Sequence, residues 1–328
     1  MLIKLNRLAV YAWGVLLYNI GVIVWGAYVR SSRSGDGCGS HWPDCNGEII
    51  PTAPELKTII EFTHRITSGI ALLMVVVLLV WSHRFYQKKH PVRLGAKFSM
   101  LFMIMEAAVG AAIVLFRLVA DNDSIARAMF MSVHLVNTFL LLGTLTLTAW
   151  WASGGQMIYL KAKPLLSFGM LFSLLGVVLL GASGAIAALG DTLFPAQTLE
   201  QALKSDLSAT AHFLIRLRIF HPVIAVITVG FSIALVIFTL LQYPATVWTK
   251  RFGLAYIALA CLQIMLGLTN VYLLAPTWLQ LVHLLVADFV WVFLVLSAAN
   301  TLITDWQANL EPQAQYVGQN TVNTVSAI

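Results

Sequence analysis

Charge is what this sequence has least of. Of 328 residues only 10% are Asp, Glu, Lys or Arg, against 59% hydrophobic, whereas a water-soluble domain carries about 25% charged residues. So few charges cannot cover a water-facing surface, and a soluble globular domain is excluded. Cysteine is equally scarce, with three in the chain, and Cys38 and Cys45 around His41 match no standard zinc spacing. The net charge is +6, yet no basic face with interleaved aromatics accompanies it, which excludes a nucleic-acid partner. The opening "MLIKLNRLAVYAWGVLLYNI" runs from charged to apolar like a signal peptide but ends on no small-residue cleavage site. It is read as a retained first helix.

What the sequence has in place of charge is long apolar runs. A bilayer crossing takes about 20 residues, and eight runs qualify: roughly 9–29, 58–81, 95–119, 126–151, 165–188, 217–241, 252–275 and 279–302. Backbone groups in lipid must be satisfied within their own segment, so the spans are helices. The expected fold class is an all-α polytopic membrane protein of eight transmembrane helices, arranged as two repeated four-helix bundles. Basic residues gather at Lys4 and Arg7, from Arg84 to Lys97, at Lys161 and Lys163, and at Lys250 and Arg251. Acidic residues mark the alternate loops, with Asp36, Asp44, Glu48, Asp121, Asp191 and Glu200 among them. The positive-inside rule then predicts both termini in the cytoplasm and the Cys38–Cys45 loop outside.

The halves repeat. "GVIVWGAYVRSSRSGD" (21–36) aligns with "GVVLLGASGAIAALGD" (176–191) 155 residues on, placing Gly26 on Gly181. "MEAAVG" (105–110) aligns with "LQIMLG" (262–267) 157 residues on, pairing Glu106 with Gln263 and Gly110 with Gly267. Four spans separate the matching helices, so both units insert the same way round, as a parallel repeat. The expected organisation is an N-terminal bundle at 1–157, a C-terminal bundle at 158–304, and a loose polar cytoplasmic tail at 305–328. The segment 189–216 reads as an amphipathic outer loop with a short surface helix.

Of eight histidines, His41, His83 and His90 fall in expected loops and His212 in the outer segment, where a solvated histidine is the simple reading. The other four, His64, His134, His221 and His283, fall inside spans two, four, six and eight. Ionisable groups at that depth are costly and mark function. His221 follows His64 by 157 residues and His283 follows His134 by 149, each five to eight residues below the outer end of its helix. At about 1.5 Å per residue that is on the order of 10 Å deep. Each half therefore offers two histidines at one depth, the arrangement for two axial ligands on a haem held between helices. The alternative is a buried histidine bonded to a backbone carbonyl, which suits one residue better than two pairs in register. Zinc lacks a third ligand beside either pair.

The halves differ chemically. In "EFTHRITSG", Glu61 precedes His64 by three residues, on one helical face. In "RIFHPVIAV", Arg218 stands where Glu61 would be, and Pro222 where Arg65 would be. A carboxylate at a haem edge can move protons, whereas an arginine holds a propionate. The first half thus reads as the reactive site and the second as an electron-transfer site. A salt bridge from Glu61 to Arg65 or Arg30 is the structural alternative for Glu61, as snorkelling is for Arg218. Glu106, the other acid within a span, reads as a packing contact or part of a proton route, and Cys261 as a small buried hydrophobe.

Taken together, Cys38 and Cys45 in the outer loop, Glu61-Phe-Thr-His64-Arg65, His134, "RIFHP" with His221, and "LVHLLVADFVW" with His283 resemble the haem A synthases of bacteria and mitochondria, over nearly the whole chain through span eight. The resemblance implies oxidation of the C8 methyl of haem O to a formyl group, by two hydroxylations and loss of water from a geminal diol. It implies His64 and His134 as axial ligands of the substrate haem, Glu61 as the catalytic residue, and haem b between His221 and His283. Arg65 and Arg218 are the candidate propionate holders. Haem O and haem A are then substrate and product, haem b is the cofactor, lipid is the surrounding partner, and a haem O synthase and an unidentified electron partner are candidates. Mitochondrial members carry a targeting extension, so a prokaryotic plasma (inner) membrane is the expected address.

Because outer compartments favour disulfides, the expected role of Cys38 and Cys45 is a disulfide shaping a lid over the reactive half, ahead of a dithiol passing electrons. A dihaem cytochrome b-type quinol oxidoreductase would use the same histidines for electron transfer alone, with no need for Glu61 or the cysteine pair. A transporter would need broken helices at the midplane, whereas the polar residues here cluster near the outer face.

Overall fold

The computed structural model describes residues 6–158, 163–243 and 245–302; the expected tail at 305–328 lies outside them. Among the described residues the chain is all helical: α1 (Arg7–Ser31), α2 (Leu56–Phe85), α3 (Pro91–Leu115), α4 (Ile125–Ala152), α5 (Pro164–Leu193), α6 (Leu199–Leu207), α7 (Phe213–Arg218), α8 (Phe220–Gln242), α9 (Val247–Tyr272) and α10 (Thr277–Thr301). Eight segments, α7 and α8 counted as one, are long and apolar enough to cross a membrane. The protein is therefore a multi-pass α-helical membrane protein.

Helices α1, α2, α3 and α4 close a ring, each packed on the next and α4 back on α1. Helices α5, α8, α9 and α10 close a second ring in the same order. The rings meet where α4 packs on α5 and α10, and α1 on α10. Burial follows that plan. The seam helices α10, α4, α1 and α5 bury 50, 44, 39 and 33% of their apolar windows, and each outer helix buries 22%. At the seam, Trp291 stacks on Phe139 with ring centroids 5.2 Å apart, and its indole N–H donates to the Phe139 carbonyl at 2.7 Å. That bond satisfies a buried donor which would otherwise cost about 1–3 kcal/mol.

The repeat extends to the helix ends. Arg117 after α3 and Leu274 after α9 stand 157 residues apart, both with left-handed backbone at φ 55° and 59°. Each turn closes alike: the Leu118 N–H donates to the Ile113 carbonyl at 2.8 Å, and the Ala275 N–H to the Asn270 carbonyl at 2.7 Å. These caps end α3 and α9 three or four residues before the ends expected at 119 and 275. The halves part at the sixth span. Pro222 has no N–H to give the Arg218 carbonyl, and the helix breaks at Ile219 into α7 and α8, whereas α2 runs unbroken past His64. The expected surface helix is α6, which has no buried residue. Its neighbour α5 continues to Leu193, five residues beyond the expected span.

Candidate functional site

The four span histidines each face a glycine of the preceding span. A Cβ on Gly26 would stand 2.9 Å from His64 Cε1, and one on Gly184 3.0 Å from His221 Cε1. A Cβ on Gly267 would lie 3.3 Å from His283 Cε1, and one on Gly110 3.9 Å from His134 Nε2. At Gly26 and Gly184 a side chain would press directly on the imidazole, at Gly267 the fit is tight, and at Gly110 a Cβ would make an ordinary contact. The sequence alignment put Gly26 on Gly181, but Gly181 packs on Phe139 instead. The residue that does for His221 what Gly26 does for His64 is Gly184.

The His221 and His283 rings have centroids 6.5 Å apart, with planes at 80°. A metal held between two imidazoles by bonds of about 2.0 Å separates their centroids by roughly 6.4 Å, so the spacing fits an iron between them. His64 Nδ1, His134 Nδ1 and His283 Nδ1 are buried without a formed hydrogen bond among the described residues. His221 Nδ1 instead lies 3.0 Å from Ser183 Oγ. The cradling glycines, and in the second half the centroid spacing, suit bis-histidine ligation of a haem. No group of three or more His, Cys, Asp or Glu able to hold a metal occurs among the described residues.

Glu61 is 3% exposed. Its Oε1 accepts from Arg65 Nη2 at 2.5 Å and Nε at 3.2 Å, and its Oε2 accepts from the Cys38 backbone N–H at 2.9 Å. Of the two salt bridges considered for Glu61, that to Arg65 forms. Arg30 turns to the seam, where it donates to the Ala188 carbonyl, Thr192 Oγ1 and Gln280 Oε1. Arg65 also donates through Nη1 to the His41 and Asp44 carbonyls, at 2.7 and 2.6 Å. Cys38 and Cys45 are joined in a disulfide, so the small loop it closes presents one amide to Glu61 and two carbonyls to Arg65. Arg218 is held in the opposite sense: Nε donates to Asp206 at 2.5 Å, Nη1 to Asp191 at 2.9 Å, and Nη2 to the Ala202 carbonyl. Both arginines spend most of their donors on protein groups, which a propionate would have to share.

Glu106 joins α3 to α4. Asn137 Nδ2 and Thr138 Oγ1 each donate to one of its oxygens at 2.6 Å, and His134 Nδ1 lies 3.2 Å from Oε1. In the other half Gln263 Nε2 lies 3.1 Å from His283 Nε2.

Three expectations change. His83 is not in a loop but in the last turn of α2, its Nδ1 2.9 Å from the Leu79 carbonyl. His212 is not a free surface histidine. It caps α7, packs between Phe194 and Phe213, and lies 3.4 Å from Asp123 across the seam. Cys261 is exposed rather than buried, on a membrane-spanning helix whose outward face meets lipid. Sequence reasoning also passed over Asp288, five residues beyond His283. It is fully buried and neither of its oxygens has a partner among the described residues. Its signal was plain: it is the acid inside span eight. An apolar groove of about 480 Å³, lined by Ile125, Met129, Val133, Ile186, Phe213 and Leu217, lies between α4, α5 and α7.

Fold and site together define a multi-pass membrane protein with two histidine pairs in register. Residues 9–295 match the cytochrome oxidase assembly protein family, and the chain belongs to it. A Thermus thermophilus protein named protoheme IX farnesyltransferase is 48% identical over 299 residues, which are 90% of this chain and 49% of that protein. A heme A synthase of Exiguobacterium sp. is 34% identical over 125 residues, 38% of this chain and 40% of its own. The heme A synthase of Exiguobacterium sibiricum is 29% identical over 181 residues, 54% of this chain and 59% of its own. The chain thus spans about half the length of the curated relatives it matches.

Proposed function

We propose that the protein is a haem A synthase, oxidising the C8 methyl of haem O to a formyl group. The observation that carries this reading is the duplicated histidine pair with an acid one turn before only one of the two matching ligands: Glu61 precedes His64, and Arg218 stands in its place before His221. Two relatives named heme A synthase support the substrate class. The relative named protoheme IX farnesyltransferase is about twice as long as the stretch it shares with this chain. We assign its printed activity to the half that this chain does not match, which makes a haem-farnesylating enzyme the natural supplier of this substrate.

In this reading residues 1–157 form the substrate half, with His64 and His134 on the iron of haem O, and residues 158–304 the haem b half, with His221 and His283 as ligands. Haem b, when bound, carries single electrons. His64 and His134 fix the substrate plane, so the methyl to be oxidised meets the same wall at each turnover. With an oxidant and an oxygen source supplied from outside the protein, Glu61 would take or return the proton at the oxygen added to that methyl. The Cys38 amide and Arg65 fix its carboxylate, which keeps it in place through both hydroxylations. Arg65 and Arg218 stand where propionates would approach, and the seam groove beside α4 suits the isoprenoid tail. The loop of Cys38 and Cys45 lies outside and both termini lie in the cytoplasm, in a prokaryotic inner membrane.

A pyridine haemochrome spectrum of the purified protein tests this. Haem b together with haem O or haem A is expected. Absence of any haem overturns the reading, and haem b alone with no conversion of supplied haem O points to the dihaem electron-transfer alternative.

A further inference from the structure

The two histidine pairs are alike, but the groups behind them are not. Glu106 on α3 and Gln263 on α9 stand 157 residues apart, each beside the histidine of the last span in its half. Glu106 comes to 3.2 Å of His134 Nδ1. The contact is close without being a formed hydrogen bond, and a small turn of the ring would complete it. Two donors pin the carboxylate for that purpose, Asn137 Nδ2 on one oxygen and Thr138 Oγ1 on the other, both at 2.6 Å. The opposite edge of the ring, Nε2, faces Gly110, which has no side chain to crowd it. Gln263 Nε2 lies 3.1 Å from His283 Nε2, and the Gln263 carbonyl oxygen has no partner among the described residues. Turning the amide and the ring places that neutral oxygen opposite the unpartnered Nδ1.

We propose that Glu106 is a positioning residue that holds His134 with Nε2 toward the iron and makes it a more strongly donating ligand than its counterpart His283. A carboxylate behind a metal-bound imidazole fixes the tautomer and raises the ligand's basicity. A primary amide fixes the ring but adds no charge. The first-half iron is therefore held further toward the ferric state than it would be with a Gln at position 106. This rests on the reading that His64 and His134 ligate an iron porphyrin. The rival role for Glu106 is a strut, tying α3 to α4 through Asn137 and Thr138.

The test is a spectroelectrochemical titration of the whole purified protein saturated with iron protoporphyrin IX, one site serving as internal control for the other. Glu106→Gln is expected to shift the ferric–ferrous equilibrium of the first site at least tenfold toward ferrous, about 59 mV for one electron, and to leave the second unchanged. Gln263→Glu is expected to shift the second site tenfold the other way, and it stands as the test if Glu106→Gln does not fold. Two filled sites with unmoved potentials overturn the proposal, as does lowered thermal stability of Glu106→Gln at unmoved potential, which is the signature of a strut. If the wild-type protein binds only one porphyrin, and His64→Ala does not change that, the underlying reading fails instead.

Discussion

One turn before each second-span ligand the two halves carry opposite charge, and each charge is caged by its opposite. In the first half a carboxylate, Glu61, is held by a guanidinium and a backbone amide. In the second a guanidinium, Arg218, is held by two carboxylates, Asp191 and Asp206. The frame around them is common: the glycine cradles, the left-handed caps and the ring of four helices recur. What the difference teaches is that a duplicated frame can hold opposite charges at one position, provided each charge is given its own partners. A buried charge without a partner would cost several kcal/mol. Exchanging Glu for Arg thus required new partners as well: the cysteine loop over one half, and α6 with its Asp206 over the other.

Breaking the frame should have the largest effect. His64→Ala or His134→Ala is expected to abolish haem O conversion and remove one porphyrin. His221→Ala or His283→Ala should remove haem b and leave haem O binding, measured by haem content and product analysis. Loss of both porphyrins from any single variant would mean that the halves are not separate sites. Next come the cradles. Gly26→Ala and Gly184→Ala each put a methyl against an imidazole, an overpacking cost of about 1–3 kcal/mol. Each should weaken porphyrin binding by roughly five- to a hundredfold in its own half alone, which a titration of the apoprotein reads out.

A smaller effect is expected from opening the loop. The bridge between Cys38 and Cys45 spans seven residues, and its loss costs about 2.5 kcal/mol by loop-closure entropy. The double Cys38→Ala/Cys45→Ala variant should melt earlier and convert haem O more slowly, because Glu61 loses a fixed amide. Complete loss of conversion at unchanged haem content would favour the dithiol reading of the pair. Smallest is Arg218→Lys, which keeps the charge and loses the fork that reaches two aspartates. It should lower thermal stability and haem b retention while slowing conversion less than tenfold.

Much of this was legible in the residues. The eight spans follow from length and hydropathy alone, and the histidine pairs stand out because charge-bearing groups are so rare in the spans. What escaped was set by contacts far apart in the chain. The caps at Arg117 and Leu274 use left-handed backbone without glycine, so nothing in the sequence marked where α3 and α9 stop. Gly184 was hidden by a three-residue shift in register relative to Gly26, in the half whose sixth span breaks at Ile219. The Cys38 amide on Glu61 joins residues 23 apart, and Arg65 reaches His41 and Asp44 in the same loop, neither of which a motif records. Asp288 was readable and was missed, because the eye went to His283.

The account stands or falls on Glu61 being the difference between a site that reacts and one that only carries electrons. Glu61→Gln keeps the size of the side chain and its place between Cys38 and Arg65. Supplied with haem O, that variant should hold the same two porphyrins as the wild type and form product at least a hundredfold more slowly, as expected for loss of a positioned proton carrier. Conversion at the wild-type rate, with both sites filled, would contradict it.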